Sequence, residues 1–158
     1  MNRPERSNLP HDIPFWLDPA NAIYFVTLCC KNRGHNHLCH SELAAKIFET
    51  VAFRNTRQTW YMHLFLLMPD HLHALVSIPR SGVDGAYSNG LKSIVSEWKR
   101  WTARSLEIPW QRDFFEHRLR RDESFIQKSD YIRHNPVRAN LAAVAEEWPY
   151  VWMPGRSC

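Results

Sequence analysis

The chain opens its first apolar run at IYFVTLCC, residues 23 to 30, whose β-branched and aromatic side chains predict a strand. A turn at Asn32-Arg33-Gly34 ends it. From Ser41, an N-cap candidate, Leu43, Ile47, Phe48 and Val51 recur at helical spacing. WYMHLFLLM, residues 60 to 68, predicts a second strand and Pro69-Asp70 a break. His71 to Ile78 predicts a third strand, with Leu72, Ala74, Val76 and Ile78 on one apolar face. The segment from 79 to 90 reads as a loop. A helix follows, with Leu91, Ile94, Val95 and Trp98 on one side, Lys99, Arg100 and Arg104 mostly off it, and Pro109 as its stop. Phe114 to Leu119 predicts a fourth strand. A last helix runs from an Asp122 cap to Asn135, where Pro136 disfavours helical geometry in the residue before it.

The order strand, helix, hairpin, helix, strand, helix predicts an α+β fold, a central antiparallel sheet of about four to five strands flanked by helices. A single domain is expected over 1–158, with an irregular arm at about 1–20 and a short tail at about 142–158. No internal repeat is visible.

Composition sharpens this frame in two places. Seven tryptophans and eight phenylalanines exceed what an ordinary core demands, so a minority are candidates for stacking on bases. The net charge of +4 is concentrated between Lys92 and Arg121, where eight basic residues face four acidic ones. Trp98, Trp101, Trp110, Phe114 and Phe115 interleave with that charge, which suggests a polyanion partner, with Arg100, Arg104, Arg118 and Arg120 as candidate phosphate contacts. No apolar run approaches a membrane span, and the N-terminus lacks a signal peptide's apolar stretch. Cys29, Cys30, Cys39 and Cys158 show no disulfide-framework spacing, so reduced thiols and a cytoplasmic location are expected. His35, Cys39 and His40, with His37 between, could hold zinc, although N-R-G-H-N-H reads as a turn.

Two patterns carry candidate chemistry. His71 and His73 alternate with the apolar face of the third strand, so they share the opposite face, roughly 7 Å apart. Imidazoles that close can converge on one cation, or can be two histidines on a solvated face; spacing alone leaves both open. In the last helix, Phe125, Ile126, Ser129 and Ile132 form the expected core stripe. Tyr131 falls roughly 150° from its centre, and Asn135 only about 40° from Tyr131 at 100° per residue. A phenol and a carboxamide one turn apart, off the core, look like a site or like a surface tyrosine beside a helix end.

Taken in order, IYFVTLCCKNR (23 to 33), MPDHLHALV (68 to 76), WQRDFFEHRLR (110 to 120) and DYIRHNPVRANL (130 to 141) resemble the HUH superfamily of single-tyrosine transposases, most closely the REP-associated tyrosine transposases. The resemblance implies a ferredoxin-like HUH endonuclease architecture. It implies His71 and His73 as ligands of a divalent metal, Mg²⁺ or Mn²⁺, Tyr131 as the nucleophile and Asn135 as a third polar ligand. Arg138 matches a family position to which no chemistry is assigned, and Asn140 stands where relatives often have a small residue. The implied activity is nicking and rejoining of single-stranded DNA near hairpins of repetitive extragenic palindromes, through a 5′-phosphotyrosine intermediate. The implied state is a monomer that uses its own tyrosine. Two rivals remain at this level: a catalytically silent single-stranded-DNA-binding regulator of the same fold, and a small zinc regulator built on the His35-to-His40 cluster.

Overall fold

A computed structural model describes residues 22–79, 90–120 and 125–156. The expected arm over about 1–20, most of the loop after Pro79, Tyr87, the Asp122 cap and Cys158 lie outside them. The elements are β1 (Ile23–Cys29), α1 (Ser41–Thr56), β2 (Tyr61–Leu67), β3 (His71–Ser77), α2 (Leu91–Ser105), β4 (Phe115–Arg118), α3 (Phe125–Arg133), α4 (Asn135–Arg138) and β5 (Val151–Trp152). The strands form one antiparallel sheet in the order β4-β1-β3-β2-β5. Its first six elements follow β-α-β-β-α-β with β1 and β3 central, the ferredoxin-like arrangement. The expected α+β fold is the observed one.

Period-two alternation divides the sheet into two faces, and both are covered. One face presents Val26, Leu28, Phe65, Leu67, Leu72, Ala74 and Val76 to Ile47, Phe48 and Val51 of α1 and to Leu91, Ile94, Val95 and Trp98 of α2. The other presents Phe25, Leu64, Leu66 and Leu75 to α3, which inserts the fully buried Ile132 and packs Phe125 against them. His71 and His73 belong to this second face, so it is not simply solvated.

Aromatic residues follow the same division. Trp60, Trp98 and Trp110 pack in series with ring centroids 6.0 and 5.9 Å apart. Their indole N–H groups donate to Val51 O, Thr50 Oγ1 and Thr102 Oγ1. Each buried indole has the acceptor it needs. Trp98 and Trp110 are therefore core, and of the five aromatics interleaved with the basic segment only Trp101 and Phe115 are substantially exposed.

Four details depart from the sequence expectation. His40, not Ser41, occupies the N-cap of α1, without a side-chain cap bond. α2 ends at Ser105, before Pro109. α3 ends at Arg133, and Asn135 begins a separate short helix, because Pro136 has no N–H to continue the ladder. Ile126 is exposed rather than part of the core stripe. A fifth strand, Val151–Trp152, pairs with β2 inside what reads as a tail. Among the described residues no helix is long and apolar enough to cross a membrane.

Candidate functional site

The site grows from the β2–β3 turn. Asp70 lies immediately before β3, and its carboxylate accepts from the Gly34 N–H at 2.7 Å, Arg33 Nε at 3.0 Å and His71 Nδ1 at 2.6 Å. Burial opposes its ionisation, but the Gly34 N–H, the His71 ring and the Arg33 guanidinium together hold it below the usual carboxylate range. A carboxylate on Nδ1 fixes the His71 tautomer: Nδ1 carries the proton and Nε2 presents a lone pair.

His73 is held in a similar way by a different partner. Thr27, its cross-strand neighbour on β1, places Oγ1 2.8 Å from His73 Nδ1. Phe25 stacks on the ring with centroids 5.5 Å apart and planes 19° off parallel. Burial first, then His71, Arg138 and Arg33, depress the His73 pKa to about 3, so the ring is neutral at physiological pH. The two histidine rings stand 4.9 Å apart, nearly perpendicular. Each imidazole has Nδ1 engaged and Nε2 without a hydrogen bond among the described residues. Neutral, oriented imidazoles with second-atom partners are what a divalent cation requires of histidine ligands.

α3 brings Tyr131 to this face. Its ring is half exposed, as its position off the core stripe predicts. Two cations flank it: the Arg138 guanidinium lies 4.3 Å from the ring centroid and Lys128 Nζ lies 5.4 Å from it. Lys128 Nζ is also 4.9 Å from the Phe25 ring, which stacks on His73. Lys128 and Phe25 thus link Tyr131 to His73, and the Arg138 guanidinium over the Tyr131 ring also acts electrostatically on His73.

Asn135 is placed by Arg138. Arg138 Nη2 donates to Tyr131 O at 2.6 Å and to Asn135 Oδ1 at 3.1 Å, bridging the break between α3 and α4. The Asn135 Nδ2 is buried without a hydrogen-bond partner. Exchanging O and N would aim the amide donors at the guanidinium, so the orientation is fixed. A cation bound by His71 and His73 could draw on Asn135 only through the second lone pair of Oδ1. The two histidines fit such a cation; the carboxamide fits it with that restriction.

The candidate phosphate contacts divide. Arg118 and Arg120 are exposed on and just beyond the edge strand β4. Arg100 and Arg104 are exposed on α2, which packs on the opposite face of the sheet from α3. The structure does not bring all four to the histidine–tyrosine face. Lys99, in the same basic segment, is buried and donates to Gln111 O and Arg112 O, both at 2.8 Å, so it ties α2 to the chain ahead of β4. Clefts of about 610 and 680 Å³ lie against α1 and contain none of His71, His73 and Tyr131.

The His35-to-His40 segment is a turn. Asn36 closes it by exchanging two hydrogen bonds with the Cys39 backbone. His37 Nε2 and His40 Nε2 engage the Asn32 and Asn36 carbonyls, and burial raises the Cys39 thiol to about 12. A thiol that hard to ionise is a poor zinc ligand. Among the described residues no three His, Cys, Asp or Glu side chains form a metal cluster.

Sequence reasoning missed Asp70, Thr27 and Lys128, and it marked Arg138 only as matching a family position, without a role. Only Asp70 carried a local signal, as an acid directly before a His-Leu-His strand. The others act across strands or across the helix break.

No family model matches the chain. An uncharacterized protein of Haemophilus influenzae is 24% identical over 152 residues, covering 75% of this chain and 82% of its own. A second protein of that organism, named provisionally as a REP-associated tyrosine transposase, is 28% identical over 151 residues, covering 82% of this chain and 78% of its own. A solved structure of a REP-associated tyrosine transposase bound to a REP hairpin shares the fold with a TM-score of 0.68 at 20% identity, over 83% of this chain and 76% of that one. Sequence and fold point the same way: the chain is similar to the REP-associated tyrosine transposases.

Proposed function

We propose that the chain is a metal-dependent transposase that nicks and rejoins single-stranded DNA beside hairpins, with Tyr131 as nucleophile. The observation that carries this reading is the shared face: two oriented imidazoles, that of His73 held neutral by burial, lie with Nε2 atoms free of hydrogen bonds among the described residues on the face where α3 exposes Tyr131 between two cations. The hairpin preference comes from the relative solved on a REP hairpin and is proposed for this chain on that ground.

The chemistry is transesterification. Tyr131 Oη attacks the phosphorus, the bond from phosphorus to the 3′ oxygen breaks, and the phenol proton is balanced by the proton the leaving 3′ hydroxyl takes up. The product is a 5′-phosphotyrosine, and the liberated hydroxyl can reverse the step, so no external energy source is needed. Mg²⁺ or Mn²⁺ held by His71 and His73, with Asn135 Oδ1 as a third donor, would supply Lewis-acid polarisation of the phosphate, worth several kcal/mol. Asp70 keeps the Nδ1 proton on His71, and Thr27 holds the orientation of the His73 ring. Arg138 fixes Tyr131 and Asn135 relative to each other and supplies positive charge where the phosphate's negative charge builds up. A phenol is a weak nucleophile toward a phosphodiester and needs that help.

His71→Ala and His73→Ala test the metal assignment. Both positions lie off the face that packs on α1 and α2, so the fold should persist while metal-dependent cleavage falls below detection. Asn135→Ala should be milder, because water can replace a neutral carboxamide. Full cleavage by either histidine variant at ordinary Mg²⁺ or Mn²⁺ would refute it.

A further inference from the structure

Antiparallel partners directly opposite each other share a face of the sheet. Phe115 of β4 lies opposite Thr27, and Thr27 lies opposite His73, so one row runs from the sheet edge to the candidate metal ligand. The row spans two strand spacings, roughly 10 Å. Phe115 is 57% exposed, although its ring has a fixed seat: it meets Phe25 edge-on, with centroids 6.1 Å apart and planes at 67°. Phe25 in turn stacks on His73 and lies under Lys128 Nζ. An exposed phenylalanine on an edge strand invites unwanted association and does little for the core. An exposed, oriented π face, with an ammonium group over the next ring along at Phe25, matches the two halves of a nucleotide, a base to stack and a phosphate to pair.

We propose that Phe115 is the platform on which an unpaired base next to the cleaved phosphodiester stacks, with Lys128 taking a neighbouring phosphate. The proposal rests on Tyr131 and the two histidines marking the point of cleavage. It makes Phe115 a positioning residue for the strand, and it gives a physical reason for single-stranded substrate, since a paired base cannot leave its stack to reach the sheet edge without unpairing.

The test is binding without chemistry. Fluorescence anisotropy in EDTA measures affinity for a hairpin oligonucleotide whose single-stranded flank carries one abasic position, moved a nucleotide at a time. Base–aromatic stacking predicts that Phe115→Ala and Phe115→Leu weaken binding on the order of five- to a hundred-fold, whereas Phe115→Trp retains it. Leucine keeps the apolar volume and loses only the π face. Wild-type protein should lose the same factor at one abasic position, and Phe115→Ala should be insensitive there. Phe115→Ala binding like wild type, or equal abasic profiles for both proteins, overturns the platform. The same proteins are then given Mn²⁺ and assayed for a covalent adduct. A wild-type adduct together with unchanged Phe115→Ala binding refutes the platform and leaves the transposase reading standing. Phe115-dependent binding with no wild-type adduct refutes the proposal's placement beside a cleaved bond, and the transposase reading with it.

Discussion

His63 shows what the second face of the sheet demands of a single side chain. It sits where the β2–β3 register shifts between Met62 and Leu64, and it is 4% exposed. Its Nε2 lies 2.8 Å from Ser77 Oγ, its ring is flanked by Tyr61 and Phe125, and its Nδ1 has no partner. Burial lowers its pKa from 6.5 to about 4. Protons therefore bind the unfolded chain first: the stabilisation is complete above about pH 6.5 and is lost as pH falls through about 4. In urea unfolding across that window the wild type should lose on the order of 3 kcal/mol more than His63→Leu, the loss that His73 contributes being common to both proteins. An unchanged slope in His63→Leu would contradict it. At this scale the sequence disclosed part of the site. The alternation put His71 and His73 on one face and the helical period took Tyr131 off the core, both properties of a single element. Thr27 and Lys128, and the role of Arg138, were illegible because their partners lie on other strands or beyond a helix break.

At the scale of elements, α3 is the piece that turns a ferredoxin-like sheet into a site. Its anchor is Ile132, fully buried among Phe25, Leu64, Leu66 and Leu75, with Phe125 and the α4 segment on either side. Ile132→Ala should cost about 2–5 kcal/mol of stability. Because α1 and α2 hold the opposite face, the loss should be local: amide exchange should rise over α3 while α1 and α2 stay protected. Uniform loss of protection across all three helices would show that α3 is not a separable unit. The helices α1, α2 and α3 and the first four strands were readable from their own periods, whereas the four-residue α4 was not. β5 was not, since two residues cannot display an alternation, and its place is set by pairing with β2. The helix end was misjudged by two residues because a period-3.6 pattern runs through Pro136 while the hydrogen-bond ladder cannot.

Over the whole molecule, the sheet separates structural from chemical duties. One face, with the tryptophan series, α1 and α2, supplies the larger core. The other carries the histidines, Tyr131 and the exposed Phe115 at its edge. The basic segment that the sequence presents as one block is thereby distributed: Lys99 is structural, Arg118 and Arg120 reach the β4 edge, and Arg100 and Arg104 face away on α2. Linear charge density could not reveal that division, because it depends on which face each element covers. The central claim is that Tyr131 attacks a phosphodiester of single-stranded DNA. Wild-type protein is incubated with a 5′-labelled and a 3′-labelled hairpin-bearing single strand in Mn²⁺, and the covalent product is digested and sequenced by mass spectrometry. The account predicts that the fragment downstream of the break is joined through its 5′ phosphate to the peptide containing Tyr131, and that Tyr131→Phe folds and binds the strand but forms no adduct. An adduct on another tyrosine, or one that persists in Tyr131→Phe, would contradict it.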